Sequence, residues 1–550
     1  MVYKYNMFIK YRLKNTLGDG FMKETLYFNG DILTLEKDLY AKAILVRDGK
    51  IYKIGNKEDI LRVADTNVEI IDLQGKTLMP SFIDAHSHFF AYSQTFLQPS
   101  LENATNFNDI IKIIQNFIIE NNIPRGKWIT AANYDHNNLD EKASPTKEIL
   151  DEAAPNNPLV IKHQSGHSGV LNSLGLKDLN ITSETQNPEG GVIYKKNNKP
   201  TGYLEENAFI QYVQKIPMPS FDEIIWSIKK AQEKYKSFGI TTMQEGMIVP
   251  LMSTILNYIK ETKMLELDYI GYIDVQQSDS LLKDFDDCIK NYVNRFKIGG
   301  YKVFLDGSPQ SRTSYMLNPY KNSTDGYRGY PIHSDENLEK YIELSLKNNL
   351  QLLAHCNGDA ASYQYITQYK NAKKNCDLNN DIRPVIVHAQ LLPTEQLDDV
   401  HDLGMIPSFF IAHVYHWGDI HIKNFGFERA SKISLANSAL KKKIKFTFHQ
   451  DSPVIEPDML ETIWCAVNRV TKNGVLLGEA ERISTLEALK AVTINSAYQY
   501  FEEDIKGSIK EGKLADLLIL DKNPLKVNKM EIRNIKILET IKEGNTIFRA

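Results

Sequence analysis

The sequence has little that would cross-link the chain or hold it in a membrane. It contains 4 cysteines among 550 residues, none in a CxxC pair, so a disulfide framework is excluded as the main support and a reducing compartment is indicated. No apolar run approaches the roughly 18 to 20 residues of a membrane span. Residues 1–21 are basic and aromatic without the apolar core of a signal peptide, which indicates a disordered tail or a mis-assigned start, with Met22 as the true beginning. We expect a cytoplasmic protein that does not associate with membranes.

An excess of charge of either sign is also missing. The chain carries 65 basic and 69 acidic residues, for a net charge of −4. This balance gives no electrostatic basis for binding nucleic acid or an anionic membrane. With 42% hydrophobic residues over 550 positions, the chain can bury one large core or about two to four ordinary ones. We expect a small-molecule substrate as the partner, with a homodimer left open as the assembly.

The two ends of the chain share a pattern of short strands. Asp48-Gly49 lies between two apolar runs, and Glu543-Gly544-Asn545 does the same near the C-terminus. Both sequences suit the positive φ angles of tight hairpin turns. Because isolated hairpins are marginally stable at best, residues 22–80 and 505–550 are predicted to form one composite β-sandwich domain.

Between these ends, residues 81–504 alternate between short apolar runs and helical periodicity. Eight runs read as strands, which is the number that closes a (β/α)8 TIM barrel. The runs are Phe82–His88, Thr241–Glu245, Leu267–Ile273, Tyr301–Asp306, Leu350–His355, Pro384–His388, Met405–Phe409 and Lys445–Asp451. The connection after the first run is far longer than the others and is predicted to hold an insert over about residues 120–215, as a lid or specificity segment. The predicted fold class is therefore α/β: a barrel, a small β-sandwich domain and a long insert.

Residues that could bind a metal fall on these predicted strands. Active-site groups of a barrel come from the C-terminal ends of several strands. His86 and His88 end the first run, and their spacing of two residues puts both imidazoles on one face of an extended chain. The other candidates are Lys302 within the fourth run, and His355, His388 and Asp451 at the ends of the fifth, sixth and eighth runs. Each alone has an ordinary structural explanation, but six at equivalent positions predict a metal site.

The order of these residues resembles that of the metal-dependent amidohydrolase superfamily. Further motifs are similar to the branch of N-substituted formamide deformylases and YtcJ-like proteins, the amidohydrolase 3 type. They are MPSFIDAHSH at 79–88, GHS at 166–168, GYLE at 202–205, GITT at 239–242, KVFLDGS at 302–308, DSPV at 451–454 and GKLAD at 512–516. The resemblance covers nearly everything from about Lys23 to the C-terminus. It is specific for the superfamily and much less so for the substrate.

The resemblance implies a metal-dependent hydrolase that cleaves a non-peptide C–N bond, such as that of a formamide. By analogy with binuclear members, His86 and His88 hold one metal with Asp451, a second metal is held by His355 and His388, and a carboxylated Lys302 bridges the two. Hydroxide held by the metals attacks the substrate, while Asp451 takes its proton and returns it to the departing nitrogen. Two zinc ions are expected, although manganese, iron and cobalt accept the same ligands. No organic cofactor is expected.

Two alternatives stay open at this point. A single metal held by His86, His88, His355 and Asp451 is similar to the deaminase-like members, and it would indicate a deaminase of a cyclic amidine with Lys302 in the core or against substrate. The other alternative is a non-catalytic scaffold on the same fold. The complete set of six candidate ligands argues against the scaffold.

Substrate contacts are expected from residues outside the ligand set. The candidates are His167 in the insert, Arg312 after the fourth run, and His413 and Trp417 after the seventh. Arg312 could hold a carboxylate with two hydrogen bonds, or it could pin Asp306. His449 stands where relatives commonly have small residues, and by strand alternation it shares a face with Asp451. We interpret it as a core histidine, with contact to a metal ligand as the alternative.

Overall fold

The computed structural model describes residues 24–165, 167–321, 323–375 and 380–550, so the tail expected at residues 1–21 lies outside the described residues. The chain divides into two compact units. One comprises the residues through Phe89 together with Gln232–Ala550, and the other comprises Phe90–Ala231. Within the described residues, no helix is long and apolar enough to cross a membrane.

The larger unit contains an eight-stranded sheet, called here the parallel sheet, in which all neighbouring strands run parallel. In spatial order, which is also chain order, its strands are Phe82–Ile83, Ile240–Ile248, Asp268–Asp274, Phe296–Phe304, Gln351–Cys356, Val385–His388, Ile406–Phe409 and Thr447–Phe448. Most of these strands are buried along their whole length, as expected for parallel strands covered on both faces. A curled parallel sheet of mixed α/β content fits a TIM-like barrel.

Each strand of the parallel sheet lies at one of the eight apolar runs predicted from the sequence. The first and last strands are shorter than their runs, ending at Ile83 and Phe448. The histidines and the aspartate that follow these two strands therefore lie on connecting segments. Backbone hydrogen bonds still hold the first segment: the amide of Asp84 donates to the carbonyl of Thr242 over 3.0 Å.

A second sheet of the larger unit joins strands from both ends of the chain. Among the described residues its strands are Glu24–Leu33, Tyr40–Arg47, Lys50–Gly55, Glu69–Asp72, Thr77–Pro80, Leu517–Leu520, Ile537–Lys542 and Asn545–Arg549. The two halves meet where Leu517–Leu520 pairs antiparallel with Thr77–Pro80. Both predicted hairpins are present, and Gly49 and Gly544 adopt positive φ angles of 78° and 70° in their turns.

Helices connect the strands of the larger unit. They are Lys57–Leu61, Ser253–Glu261, Ser278–Asp284, Asp335–Asn348, Asp359–Asn375, Leu397–Asp402, His413–His416, Gly418–Phe425, Phe427–Ala430, Ala436–Lys441, Met459–Asn468, Thr485–Ala491 and Ile494–Gln499. The helix Met459–Asn468 shows how such a helix begins. The side chain of Asp458 accepts hydrogen bonds from the amides of Leu460 and Glu461, which satisfies donors that the first turn of a helix leaves free.

The smaller unit, called here the insert unit, has its own five-stranded sheet and core. In spatial order the strands are Gly191–Lys196, Lys199–Glu206, Ser168–Leu171, Leu159–His163 and Ile129–Tyr134. Its helices are Phe107–Glu120, Lys147–Ala153, Ser173–Asp178 and Asn207–Val213, with Phe89–Thr95 and Phe221–Ser237 at its two ends. Ile110, Ile111 and Ile114 of the first of these helices are buried, because residues three and four positions apart lie on one helix face.

Candidate functional site

The segment after the first strand of the parallel sheet is held from two directions. On one side it pairs with the second strand, where the amide of Gly246 donates to the carbonyl of Ser87 over 2.7 Å. On the other side the amide of Asp451 donates to the carbonyl of His86 over 3.2 Å, and that of His88 donates to the carbonyl of Ser452 over 2.8 Å. These bonds bring the chain after the eighth strand against the chain after the first.

Three of the predicted ligands lie together as a result. Nε2 of His86 and Nε2 of His88 each lie 3.5 Å from Oδ1 of Asp451. One ligand atom from each residue lies within 4.8 Å of the other two, and the group could hold a metal ion. Nε2 of His388 approaches the other carboxylate oxygen of Asp451, Oδ2, at 3.8 Å.

The ring of His86 is fixed by the second strand. Its Nδ1 lies 2.6 Å from Oε1 of Gln244, an oxygen that can only accept, so the ring proton is on Nδ1 and the lone pair is on Nε2. Gln244 is held in turn, since its amide donates to the carbonyl of Ala85 and to the hydroxyl of Tyr500, both over 2.7 Å. Burial, together with the positive charge of Lys302, keeps the pKa of His86 well below its usual value, which favours the neutral imidazole that metals bind.

Lys302 and Asp451 are the charged members of the site. Lys302 is fully buried on the fourth strand, and its Nζ lies 3.0 Å from Nε2 of His86. Burial lowers its pKa to about 7, although the carboxylate of Asp451 opposes the shift. Burial raises the pKa of Asp451, against the opposing effect of His88 and Lys302. Oδ1 of Asp451 is buried and has no hydrogen-bond partner among the described residues.

His355 and His388 form the other side of the site. Their ring centroids lie 4.5 Å apart, with the rings edge to face. Nδ1 of His355 lies 3.2 Å from Oδ1 of Asp306, and its Nε2 lies 3.3 Å from Nδ2 of Asn357. Asp306 is bound by the backbone amides of Asn357 at 3.0 Å and Gly358 at 2.7 Å. No hydrogen bond or ion pair from the Arg312 side chain to Asp306 is found among the described residues.

His449 contacts one of these ligands. Its Nε2 lies 3.1 Å from Nδ1 of His388, and its Nδ1 lies 2.9 Å from the hydroxyl of Ser408. If His449 accepts at Nε2, the Nδ1–H of His388 is the donor and the lone pair of His388 is left on Nε2, which faces Asp451. His449 is completely buried, so it is both an interior histidine and a partner of His388.

Several residues of the site were not among those predicted from the sequence. Gly246 follows Gln244 and Glu245 on the second strand, and a Cβ atom there would lie 2.6 Å from Cε1 of His86 and 3.0 Å from Cε1 of His88. Only a glycine leaves room for both imidazoles. Glu245 lies 3.6 Å from Nδ1 of His88 through its Oε1. A polar strand end next to a glycine is the signal that could have indicated this role.

The predicted substrate contacts of the larger unit are spread out. His413 is buried, stacks on His421 with an Nδ1 to Nε2 distance of 3.0 Å, and packs against Trp417 at 4.6 Å between ring centroids. Phe410 connects this aromatic group to the site, since its ring lies 4.6 Å from that of His413 and 6.0 Å from that of His388. These aromatic rings pack against one another in a continuous group that begins beside His388 and ends at His421.

Arg312 and His167 lie in other surroundings. The guanidinium of Arg312 sits 5.3 Å from the ring centroid of Tyr320, and its Nε is buried with no hydrogen-bond partner among the described residues. His167 belongs to the insert unit, where its Nδ1 lies 3.0 Å from Oε2 of Glu206 and its side chain is 64% exposed. The structure therefore does not bring the four predicted substrate contacts together within one unit.

The donor set of the site suits a divalent metal. Zinc ligands at about 2.1 Å in a tetrahedron stand roughly 3.4 Å from one another, and the two distances from imidazole nitrogen to Asp451 Oδ1 are both 3.5 Å. The unpartnered carboxylate oxygen is costly to bury unless a cation or donor compensates it. His86 and His388 are buried with pKa values well below the usual range because of that burial, so their lone pairs are available.

Comparison with known proteins identifies the class. A model of the Amidohydrolase family matches residues 69–548. The N-substituted formamide deformylase of Arthrobacter pascens is 25% identical over 95% of this chain and 98% of its own length. The putative amidohydrolase YtcJ of Bacillus subtilis is 25% identical over 96% of this chain and 99% of its own.

The fold has a counterpart among solved structures. A metal-dependent hydrolase from Pyrococcus furiosus, described as uncharacterized, superposes with a TM-score of 0.73 at 24% identity, covering 92% of this chain and 100% of that chain. This chain therefore shares the fold of that protein. The chain belongs to the Amidohydrolase family and is a hydrolase that acts on carbon–nitrogen bonds, which confirms the resemblance seen in its sequence motifs.

Proposed function

We propose that this protein hydrolyses the C–N bond of a small non-peptide amide, of the N-substituted formamide or N-acyl type, with divalent metal. The observation that carries the proposal is the close approach of His86, His88 and Asp451, in a chain that aligns with a formamide deformylase over nearly its whole length. A metal bound there would supply Lewis acidity toward the substrate carbonyl and lower the pKa of water.

The residues of the chain would handle the protons. Oδ1 of Asp451 faces two imidazoles and has no hydrogen-bond partner among the described residues, so it would hold the metal. Oδ2 would then accept a proton from attacking water. Its raised pKa, caused first by burial, makes the acid form accessible and suits return of the proton to the departing nitrogen. Gln244 would hold His86 in the tautomer that binds metal. The 2.6 Å distance between Oε1 of Gln244 and Nδ1 of His86 supports this role.

We further propose two zinc ions, with manganese, iron or cobalt as substitutes. The first ion would be held by His86, His88 and Asp451. The second ion would be held by His355 and His388. A carboxylated Lys302 would be a ligand of both ions. The lowered pKa of Lys302, about 7 because of burial, supports carbamate formation, since only the neutral amine adds carbon dioxide.

The alternative is a one-metal deaminase of a cyclic amidine. One observation favours it: the three ligand atoms that lie within 4.8 Å of each other come from His86, His88 and Asp451, a group that suits a single ion. The two proposals differ in product, because a formamide gives formate and an amine, whereas a cyclic amidine gives ammonia.

For the fold, we propose that the parallel sheet closes into a (β/α)8 barrel. The hydrogen bonds that link His86 to Asp451 and His88 to Ser452 support closure. We propose residues 22–80 and 505–550 as a composite β-sandwich domain, with residues 81–504 as the barrel and its insert at about 120–215.

The candidates for substrate contact remain His167, Arg312, His413 and Trp417. We propose that the substrate is a small molecule and that the protein acts in the cytoplasm.

The test is a substrate panel with the full-length protein loaded with zinc in bicarbonate. Formamides, N-acyl amino acids, lactones and cyclic amidines would be assayed separately for acid, amine and ammonia. We expect an amine and a carboxylate from an amide substrate, and a loss of roughly 100-fold or more in kcat for Asp451→Asn. Ammonia from a cyclic amidine would favour the deaminase, and turnover unaffected by Asp451→Asn would contradict both.

A further inference from the structure

The sheet of the insert unit carries a second group of metal-ligating side chains. Its strands Ile129–Tyr134 and Leu159–His163 are parallel neighbours that end at the same edge. Asp135 and His136 directly follow the first of these strands, and His163 is the last residue of the second. Ligand sites of open α/β sheets commonly lie at the carboxyl ends of neighbouring parallel strands. The position of the group is therefore one that this architecture favours for binding.

The distances within the group suit one small cation. Nε2 of His163 lies 3.4 Å from Oδ1 of Asp135, and Nδ1 of His136 lies 3.9 Å from the same oxygen. One ligand atom of each residue lies within 4.8 Å of the other two. Tetrahedral zinc ligands stand roughly 3.4 Å apart, so closing the group around an ion needs movements of about 1 Å. The exposed side chain of His136 can supply that movement, since it is 41% accessible.

One nitrogen of the group is buried and is paired, among the described residues, with the carboxylate of the same group. Nε2 of His163 makes no hydrogen bond to any residue that the structure describes, although it faces the Asp135 carboxylate. Its other nitrogen, Nδ1, lies 2.8 Å from the hydroxyl of Ser165 and receives the backbone N–H of the same residue over 3.1 Å. Accepting this N–H puts the ring proton on Nε2 in the metal-free protein. Binding of a cation at Nε2 would move the proton to Nδ1, where the hydroxyl of Ser165 would accept it in place of the lost backbone contact.

The carboxylate is already held in place. Oδ1 of Asp135 accepts hydrogen bonds from the backbone amide of Asn137 at 2.9 Å and from its side-chain amide at 3.0 Å. Oδ2 accepts from the side-chain amide of Gln164. Metal-binding carboxylates are commonly fixed by such hydrogen bonds. These neighbours hold Asp135 in position, and Oδ2, which accepts one hydrogen bond, keeps acceptor capacity for a cation.

From these observations we infer that Asp135, His136 and His163 bind a divalent transition metal of the zinc class. Two imidazoles and one carboxylate form a donor set that zinc accepts, and three protein ligands leave a coordination position open. The inference uses different residues from the proposed catalytic site, so either of them can fail without the other.

Metal counting with the full-length protein tests the inference. The wild type and the His163→Gln and His136→Ala variants would be stripped with a chelator and titrated with zinc, and the bound ions counted after gel filtration. We expect each variant to bind one ion fewer per chain than the wild type, or to bind that ion at least tenfold more weakly. The same difference is expected in a His86→Asn/His88→Asn background, which removes ligands of the proposed catalytic site.

A control comes from elsewhere on the chain. His401 is also beside an aspartate, with Nδ1 3.0 Å from Oδ1 of Asp402, but both side chains are at least half exposed. His401→Gln is expected to leave the ion count unchanged. His136→Ala keeps the test valid if His163→Gln fails to fold, because an exposed side chain can be truncated at little cost. Equal ion counts and affinities in the wild type and His136→Ala would overturn the inference. A loss of bound zinc in His401→Gln as large as that in His136→Ala would also overturn it.

Discussion

Lys302 Nζ lies 3.0 Å from His86 Nε2, the nitrogen that also faces Asp451. Because Gln244 occupies the other ring nitrogen, the lysine and a metal ion would compete for the same lone pair. An ammonium group cannot bind a cation, whereas a carbamate carries negative charge and two oxygens. Carboxylation would therefore convert a competitor of the metal into a ligand.

This relationship leads to a prediction for Lys302→Ala. We expect the hydrolytic activity of the variant to fall by roughly 100-fold or more. Replacing a residue that only orients a metal ligand typically lowers activity by about 10- to 100-fold. Short carboxylic acids such as acetate should restore part of it by placing a carboxylate where the carbamate stood. Metal analysis should give close to two ions per chain for protein prepared with bicarbonate in a His136→Ala background, which lacks the site proposed in the insert unit. Acetate added to the wild type is the control, and one ion per chain in that background with an active Lys302→Ala variant would exclude the bridging role.

Gly246→Ala should disturb the site without touching a ligand. The added Cβ would lie 2.6 Å from Cε1 of His86, so the ring must leave the position from which it faces Asp451. We expect metal affinity to fall by about 10- to 100-fold, as for residues that orient ligands, measured by titration with a competing chelator. Gly55→Ala is the matched control, because its Cβ would meet nothing nearer than 4.0 Å. Equal affinity in both variants would show that the imidazoles are not constrained by this strand.

The sequence could indicate the strands of the parallel sheet because fully buried parallel strands read as apolar runs between helices. Val385–His388 is such a run, and it is buried throughout. The ends of the first and last strands could not be predicted, since they depend on hydrogen bonds between segments far apart, such as Asp451 to His86. Gln244 escaped notice for the same reason: its partner His86 lies 158 residues away.

His449 should influence the site through His388. We expect His449→Ala to weaken metal binding by about 10- to 100-fold. The reason is that His388 loses the acceptor that orients its ring, which is Nε2 of His449 at 3.1 Å from Nδ1 of His388. His449→Gln should recover part of the affinity, since its amide oxygen can accept the same proton. A structural role alone would lower the midpoint of thermal unfolding in the metal-free protein and leave its metal affinity at the wild-type value. Equal affinity in the alanine and glutamine variants would argue against orientation.

His421 should make the stability of the protein depend on pH. Burial lowers its pKa to about 3, whereas an unfolded histidine titrates near 6.5. Between these values the unfolded chain binds the extra proton, so the free energy of unfolding decreases as the pH falls below about 6.5. We expect His421→Phe to reduce the loss between pH 7 and pH 5 by about 2 kcal/mol, measured by reversible denaturant unfolding of metal-free protein. His401→Phe, at an exposed histidine, should keep the wild-type slope, and an unchanged slope in His421→Phe would mean that this histidine is protonated in the folded protein.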